Sequence, residues 1–275
     1  MNWYRAKTIL IILFICVNIF LGTIIIIDRH ARNAELENTL SKILTANNIE
    51  LDIAKIPVIK SNISVPEFLN ISSTDKLIAA LMSSPVKSGD NTYTDGTKKM
   101  VILNNTISYT DSAPNQPLKN INMNNAVSKL RPVLKKLNVD KLVFPTNMSE
   151  SNGVYQVDFG YTINKHTLFN NSLSFSVSKN GIHKIEGSIN IPNTQNGYSY
   201  DLVNIETILL NFIKNNKSDT TIKLSAIKFG YYFRPYEEAI STQAIPVYQI
   251  SAGGTTYLYD ARMGIDPSAM QIHLK

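Results

Sequence analysis

The chain has 275 residues, of which 17% are charged, with a formal net charge of +6 and one cysteine. A lone cysteine excludes an intramolecular disulfide framework, and positive charge spread along the chain rather than clustered argues against a nucleic-acid-binding surface. Arg5 and Lys7 carry two of the six net charges, which leaves +4 on residues 28–275, a segment long enough for one large domain or two small ones.

Residues 1–7 form a short basic tail. Thr8 to Ile27 follows as an apolar run without charge or proline. Its length at the helical rise is roughly 30 Å, the thickness of bilayer hydrocarbon, so residues 8–27 read as a transmembrane helix. A cleaved signal peptide fits less well. The run exceeds the usual ~7–15 residues, and Ile24 to Ile27 lead into Asp28 with no small-x-small cleavage site. Cys16 follows bulky Ile15 in mid-run, unlike a lipoprotein signal. Basic residues lie on both sides, with Arg29, Arg32 and Lys42 after the span. Orientation therefore rests on the short basic tail and on the tendency of long following domains to translocate whatever their charge. The expectation is a single-pass cell-membrane protein with a cytoplasmic N-terminus and an extracytoplasmic C-terminal domain.

Within the span, Asn18 is the residue that hydrocarbon tolerates least. Its amide gains roughly 1 kcal/mol from hydrogen bonding a second helix, and Gly22 and Thr23, one turn along, let another backbone approach. Asn18, Gly22 and Thr23 are the candidate partner-contact residues. The competing reading is a lone amide that faces lipid.

Past the span, Arg32 to Ala46 continues as helix, with Leu36, Leu40, Ile43 and Leu44 on one stripe. Asn47-Asn48 ends it. Pro57 and Pro66 disfavour helix before them, so residues 50–70 are expected to be an extended connector. Ser73 or Thr74 caps a short helix carrying Leu77, Ile78, Leu81 and Met82. Met100–Leu103 and Thr106–Tyr109 flank Asn104-Asn105, a hairpin turn pair. Asp111 to Gln116, with Pro114, closes this segment, so residues 28–118 form a juxtamembrane helix, connector and first α/β segment.

The remainder reads as an internal duplication. In residues 119–197 a helical pattern (Val127, Leu130, Leu134, Leu137) precedes strands with Phe159-Gly160-Tyr161. In residues 198–275 a second pattern (Leu202, Ile205, Leu209, Phe212, Ile213) precedes strands with Phe229-Gly230-Tyr231. Downstream, Phe175 to Gly181 aligns with Tyr248 to Gly254, each leading into a glycine turn and a return strand. The predicted fold class is α+β: one N-terminal transmembrane helix, then an ectodomain of antiparallel sheets each packed on a helix. Pro132 falls inside the first helical pattern, where it would kink an interior but suits a first turn.

Motifs for chemistry are sparse. The four histidines, His30, His166, His183 and His273, have no neighbours at metal-ligand spacing. No H-E-x-x-H, C-x-x-C, G-x-S-x-G, S-x-x-K or glycine-rich phosphate loop occurs. Glu237-Glu238, after Arg234 and Pro235, could supply an acid and a base, but adjacent loop acids are usually just solvated. Asp260 and Asp266 could hold a cation, yet a strand-end aspartate more often supports a turn. The expectation is a non-enzyme with no cofactor and no metal. Tyr231, Tyr232, Tyr236, Tyr248, Tyr257 and Tyr259 read as half-buried cross-strand partners, a minority of which could form a recognition face.

Several stretches resemble the YycI (WalI) family. They are Met1 to Ile9 with its early tryptophan; Asn48-Ile-Glu-Leu-Asp with Ile56-Pro57; Ile227-Lys-Phe-Gly-Tyr231; and Ala244 to Ile250 followed by Thr255 to Ala261 and Gly264. The closing stretch is also similar to PepSY-type domains. Tyr248 stands where that pattern has tryptophan, and Gln249 where it has a basic residue. The resemblance implies an accessory regulator of the WalK (YycG) sensor histidine kinase, which controls cell-wall metabolism in Gram-positive bacteria. It would act through its membrane helix and beside a YycH-like partner, in a hetero-oligomer. Two readings compete: a membrane-tethered binding module for a wall polymer or secreted envelope enzyme, and an enzyme of unrecognised type.

Overall fold

The computed structural model describes residues 3–51, 56, 57, 59, 61–69, 75–103, 105–216, 220–233 and 241–262. Helix α1 (Trp3–Ala46) is unbroken over 44 residues, about 66 Å at 1.5 Å per residue. Its segment Lys7–Ile27 is long and apolar enough to cross a membrane, and none of it is buried against the rest of the chain. The other end behaves differently. Leu40 and Leu44, one turn apart, are 1% and 3% exposed. Asn47 closes the helix by donating its amide to the Ile43 carbonyl at 2.8 Å. Asn48 then takes φ 53°, a left-handed position that asparagine tolerates.

The first core forms where α2 (Asp75–Leu81) and α3 (Ala126–Lys136) cover a sheet face. Leu77, Ile78 and Met82 meet Leu130, Leu134 and Leu137 over Met100, Ile107, Phe159, Phe175 and Ile185. The strands are β3 (Val86–Gly89), β4 (Thr92–Asp95), β5 (Lys98–Leu103), β6 (Thr106–Asp111), β7 (Val143–Ser151), β8 (Val154–Ile163), β9 (His166–Ser178) and β10 (Gly181–Ser188). The β5–β6 hairpin falls where the apolar runs around Asn105 place it, with Leu103 opposite Thr106 and Asn105 at φ 65°. Asn104, Ser73 and Thr74 lie outside the described residues. Pro132 occupies the interior of α3. An interior proline costs about 3 kcal/mol; burial of the flanking leucines, roughly 1.5–3 kcal/mol each, outweighs it.

The second core surrounds α4 (Ile205–Asn215). Ile205, Ile208, Leu209 and Phe212 pack against Leu224, Ile227 and Phe229 of β12 (Ile222–Phe233), Tyr248 and Ile250 of β13 (Ser241–Ala252), and Tyr259 of β14 (Thr255–Asp260). Leu40 and Leu44 of α1 belong to this same core. Both halves thus run helix then antiparallel meander, with β8–β9–β10 matched by β12–β13–β14. The two meanders do not stand apart. β9 and β12 pair in parallel at Thr167↔Gly230 and Leu168↔Tyr231, which joins the described strands into one hydrogen-bonded network. The short β1 (Ile49–Glu50) adds to β12 beside the end of α1.

Part of the expected connector is sheet. β2 (Asn62–Leu69) pairs with both β13 and β11 (Ile191–Asp201), burying Val65 and Phe68. Pro66 is accommodated because β11 shifts register between Asn193 and Gly197, opposite that proline. A bulge relieves the demand for a ladder donor that proline lacks. The expected boundary at 197/198 falls within β11.

Candidate membrane-helix interface

Asn18, Gly22 and Thr23 all lie on the exposed span, and each polar side chain is bonded within its own helix. Asn18 donates its amide to the Phe14 carbonyl at 3.0 Å. The Thr23 hydroxyl donates to the Ile19 carbonyl at 2.5 Å. These one-turn bonds satisfy one amide proton and the hydroxyl proton. They leave the Asn18 carbonyl oxygen, an acceptor, on the outside of the helix. A Cβ at Gly22 would meet nothing within 4 Å, so among the described residues this face has no partner.

Helical phase separates the three residues. Asn18 and Gly22, four apart, share one face. Thr23 lies about 100° round from Gly22, and so belongs to a neighbouring face. The Asn18–Gly22 face also has a defined direction. Gly22 and Leu40 are separated by roughly five whole turns of 3.6 residues. In an unbroken helix the two sit on the same side, and Leu40 is buried in the second core. The candidate face therefore lies under the ectodomain rather than turned away from it.

The junction above it is held by short-range contacts. Ile222 donates its backbone N–H to the Asn48 carbonyl at 3.0 Å. Lys223 pairs with Glu50 at 3.2 Å on the surface, a contact of little energetic weight. A shallow crevice of about 430 Å³ lined by Ser41, Leu44, Thr45, Glu50 and Lys223 runs beside it.

The other sequence candidates are placed as follows. Asp260 grips Arg262 with two-pronged hydrogen bonds of 2.6–3.1 Å and caps the Arg262 backbone N–H at 2.9 Å. The Arg262 guanidinium lies 5.4 Å from the Tyr200 ring centre. Asp260 is a turn aspartate spent on an arginine. Asp266, Glu237, Glu238 and Tyr236 lie outside the described residues, as does His273. His183 shares a hydrogen bond of 2.8 Å with the Ser178 hydroxyl. His166 stands edge-on to Phe229 at 5.0 Å and Tyr231 at 6.2 Å, and burial pulls its pKa below the usual value. Among the described residues, no three His, Cys, Asp or Glu side chains are grouped to hold a metal ion.

The tyrosines are more deeply buried than alternation suggested. Tyr231, Tyr232, Tyr248 and Tyr259 are all core residues, and burial pushes the Tyr248 hydroxyl up to about 12, with Glu206 adding to the shift. Tyr248 packs edge-on to Phe229 at 5.2 Å. Sequence reading missed the role of Leu40 and Leu44 as the anchor of the span. Their i, i+4 spacing was visible, but what they pack against was not.

No protein-family model and no curated protein matches this sequence. Solved structures similar in part include the following two. YycH from Bacillus subtilis is 12% identical with a TM-score of 0.44, over 74% of this chain and 53% of that one. The YpeB C-terminal domain from Bacillus megaterium is 13% identical with a TM-score of 0.34, over 75% of this chain and 99% of that one. The chain spans about half the length of YycH, and no residue role is carried over from either.

Proposed function

We propose that this chain is a membrane-anchored accessory regulator of a cell-wall-controlling sensor histidine kinase of the WalK (YycG) type. The Asn18–Gly22 face of α1 docks on a transmembrane helix of the kinase, while the extracytoplasmic domain engages a YycH-like partner. In this reading the chain has no chemistry of its own. It acts by binding two signalling states of the kinase with different affinity, which is all a regulator requires.

The observation that carries the reading is the continuity of α1. One unbroken helix links an unpartnered polar face in the span to two leucines fixed in the ectodomain core. A simple tether needs no such fixed phase. The resemblance of the N-terminal, Gly-Tyr and closing stretches to the YycI family supplies the kinase and the YycH-like partner as the specific candidates.

The test is copurification from gently solubilised membranes, with Asn18→Leu and a chain carrying an unrelated span alongside. Recovery of a histidine kinase, reduced in both variants, supports regulation through the helix. Recovery of wall polymer or a secreted enzyme alone, unchanged in both, replaces the reading with a tethered binding module.

A further inference from the structure

A cleft of about 410 Å³ opens between α2 and α3, within the size range of ligand pockets. Met82, Leu118, Val133 and Ile182 give it an apolar lining, and Lys98, Lys129 and Lys136 line it with one acid, Asp111. Two of the charged groups are already engaged. Lys98 and Asp111 face each other across the β5–β6 ladder. Lys98 donates to the Leu81 carbonyl at 3.2 Å. Asp111 accepts from the Thr97 hydroxyl at 2.7 Å and the Ala113 N–H at 3.1 Å.

Lys129 and Lys136 are left over. Among the described residues neither forms an ion pair. They stand seven residues apart on α3, on one face with Pro132 and Val133 between them, roughly 10 Å apart along the axis. The cleft therefore offers two separated cations and an apolar middle.

We infer that this cleft receives an extended acidic peptide segment of a partner protein, with carboxylates three residues apart. In a polyproline II chain, residues i and i+3 share one side and lie about 9 Å apart, close to the Lys129–Lys136 spacing. The two intervening side chains cover Val133 and Met82. A single-headed anion with an apolar tail uses only one of the two cations, so their spacing favours the peptide. The inference stands apart from the kinase reading.

The test uses the full chain in nanodiscs of zwitterionic lipid and a fluorescein-labelled Glu-Pro-Leu-Glu peptide, read by anisotropy. The expected result is saturable binding that weakens as salt rises from about 0.05 to 0.5 M. Binding drops at least tenfold in Lys129→Glu/Lys136→Glu, and that variant instead takes a Lys-Pro-Leu-Lys peptide. Should the reversal variant fail to fold, Lys129→Gln/Lys136→Gln gives the same loss without the charge swap. No saturable binding, equal binding by the variants, or binding of phenyl phosphate without binding of the peptide overturns the inference.

Discussion

At the residue scale, three side chains carry separable consequences. Asn18 keeps one amide proton on Phe14 and an acceptor to spare, so Asn18→Leu should leave the ectodomain intact. It should weaken helix association by roughly 1 kcal/mol, about fivefold, measurable by energy transfer between labelled spans in bilayers. Gly230 sits where β9 and β12 meet: a Cβ there would collide with the Thr167 carbonyl oxygen and come within 2.7 Å of the Phe169 ring. Overpacking of this kind costs typically 1–3 kcal/mol. Gly230→Ala should lower the urea midpoint of the ectodomain without changing its helix content. His166 gives a pH dependence. Its folded pKa lies below the unfolded value of about 6.5, so the unfolded chain binds the extra proton first. Stability attributable to His166 is complete above pH about 6.5 and is lost as pH falls toward the lower folded value. His166→Gln should remove that component, seen by urea titration at several pH values. Asp158, held below its usual range by the Ser174 hydroxyl, acts in a separate window at more acid pH.

At the element scale, α1 carries the proposed mechanism, because its phase connects the apolar span to the second core. Inserting two alanines after Ala34 turns the Asn18–Gly22 face by roughly 200° relative to Leu40, while inserting four restores it to within about 40°. Kinase copurification should fall with two and recover with four. An effect that grows with inserted length, or none at all, would instead fit a tether. The lower end of the coupling is testable through Leu44, 3% exposed in the second core. Leu44→Ala should cost about 2–5 kcal/mol, read as a lower thermal midpoint. The groove face of α3 shows the same logic from the other side: its leucines hold the helix against sheet despite Pro132, and its lysines are left to the surface.

At the scale of the whole molecule, the two cores are coupled through the parallel join of β9 to β12 and through β2, which pairs with β13 while burying Val65 and Phe68 in the first core; among the described residues, α1 packs into the second. A break in the helix should separate membrane from ectodomain without unfolding either. Ala34→Pro removes one helical bond and kinks an exposed stretch, at about 3 kcal/mol locally. The ectodomain melting temperature should stay within a few degrees while association through the span loses its dependence on ectodomain partners, checked by copurification with and without the ectodomain partner present.

The sequence by itself determined what local pattern controls. An apolar run of bilayer length, amphipathic spacing in α3 and α4, the Asn-Asn stop after Ala46 and the turn around Asn105 each depend on neighbours within a few residues. Asn18 and Gly22 stand out as candidates for the same reason, since a polar group in an apolar run is conspicuous whatever surrounds it. Tertiary structure decided the rest. Residues 62–69, part of a proline-bearing stretch expected to be an extended connector, become a strand that buries Val65 and Phe68 between β11 and β13, with β11 bulged opposite Pro66. Phe229-Gly230-Tyr231 looked like half of a repeat; its glycine is the point where the two meanders touch. Leu40 and Leu44 fix the direction of the span, and Lys129 and Lys136 are left without an ion pair among the described residues, through packing and pairing between residues far apart in the chain. Non-local pairing depends on which surfaces meet after collapse, and no local periodicity encodes that choice.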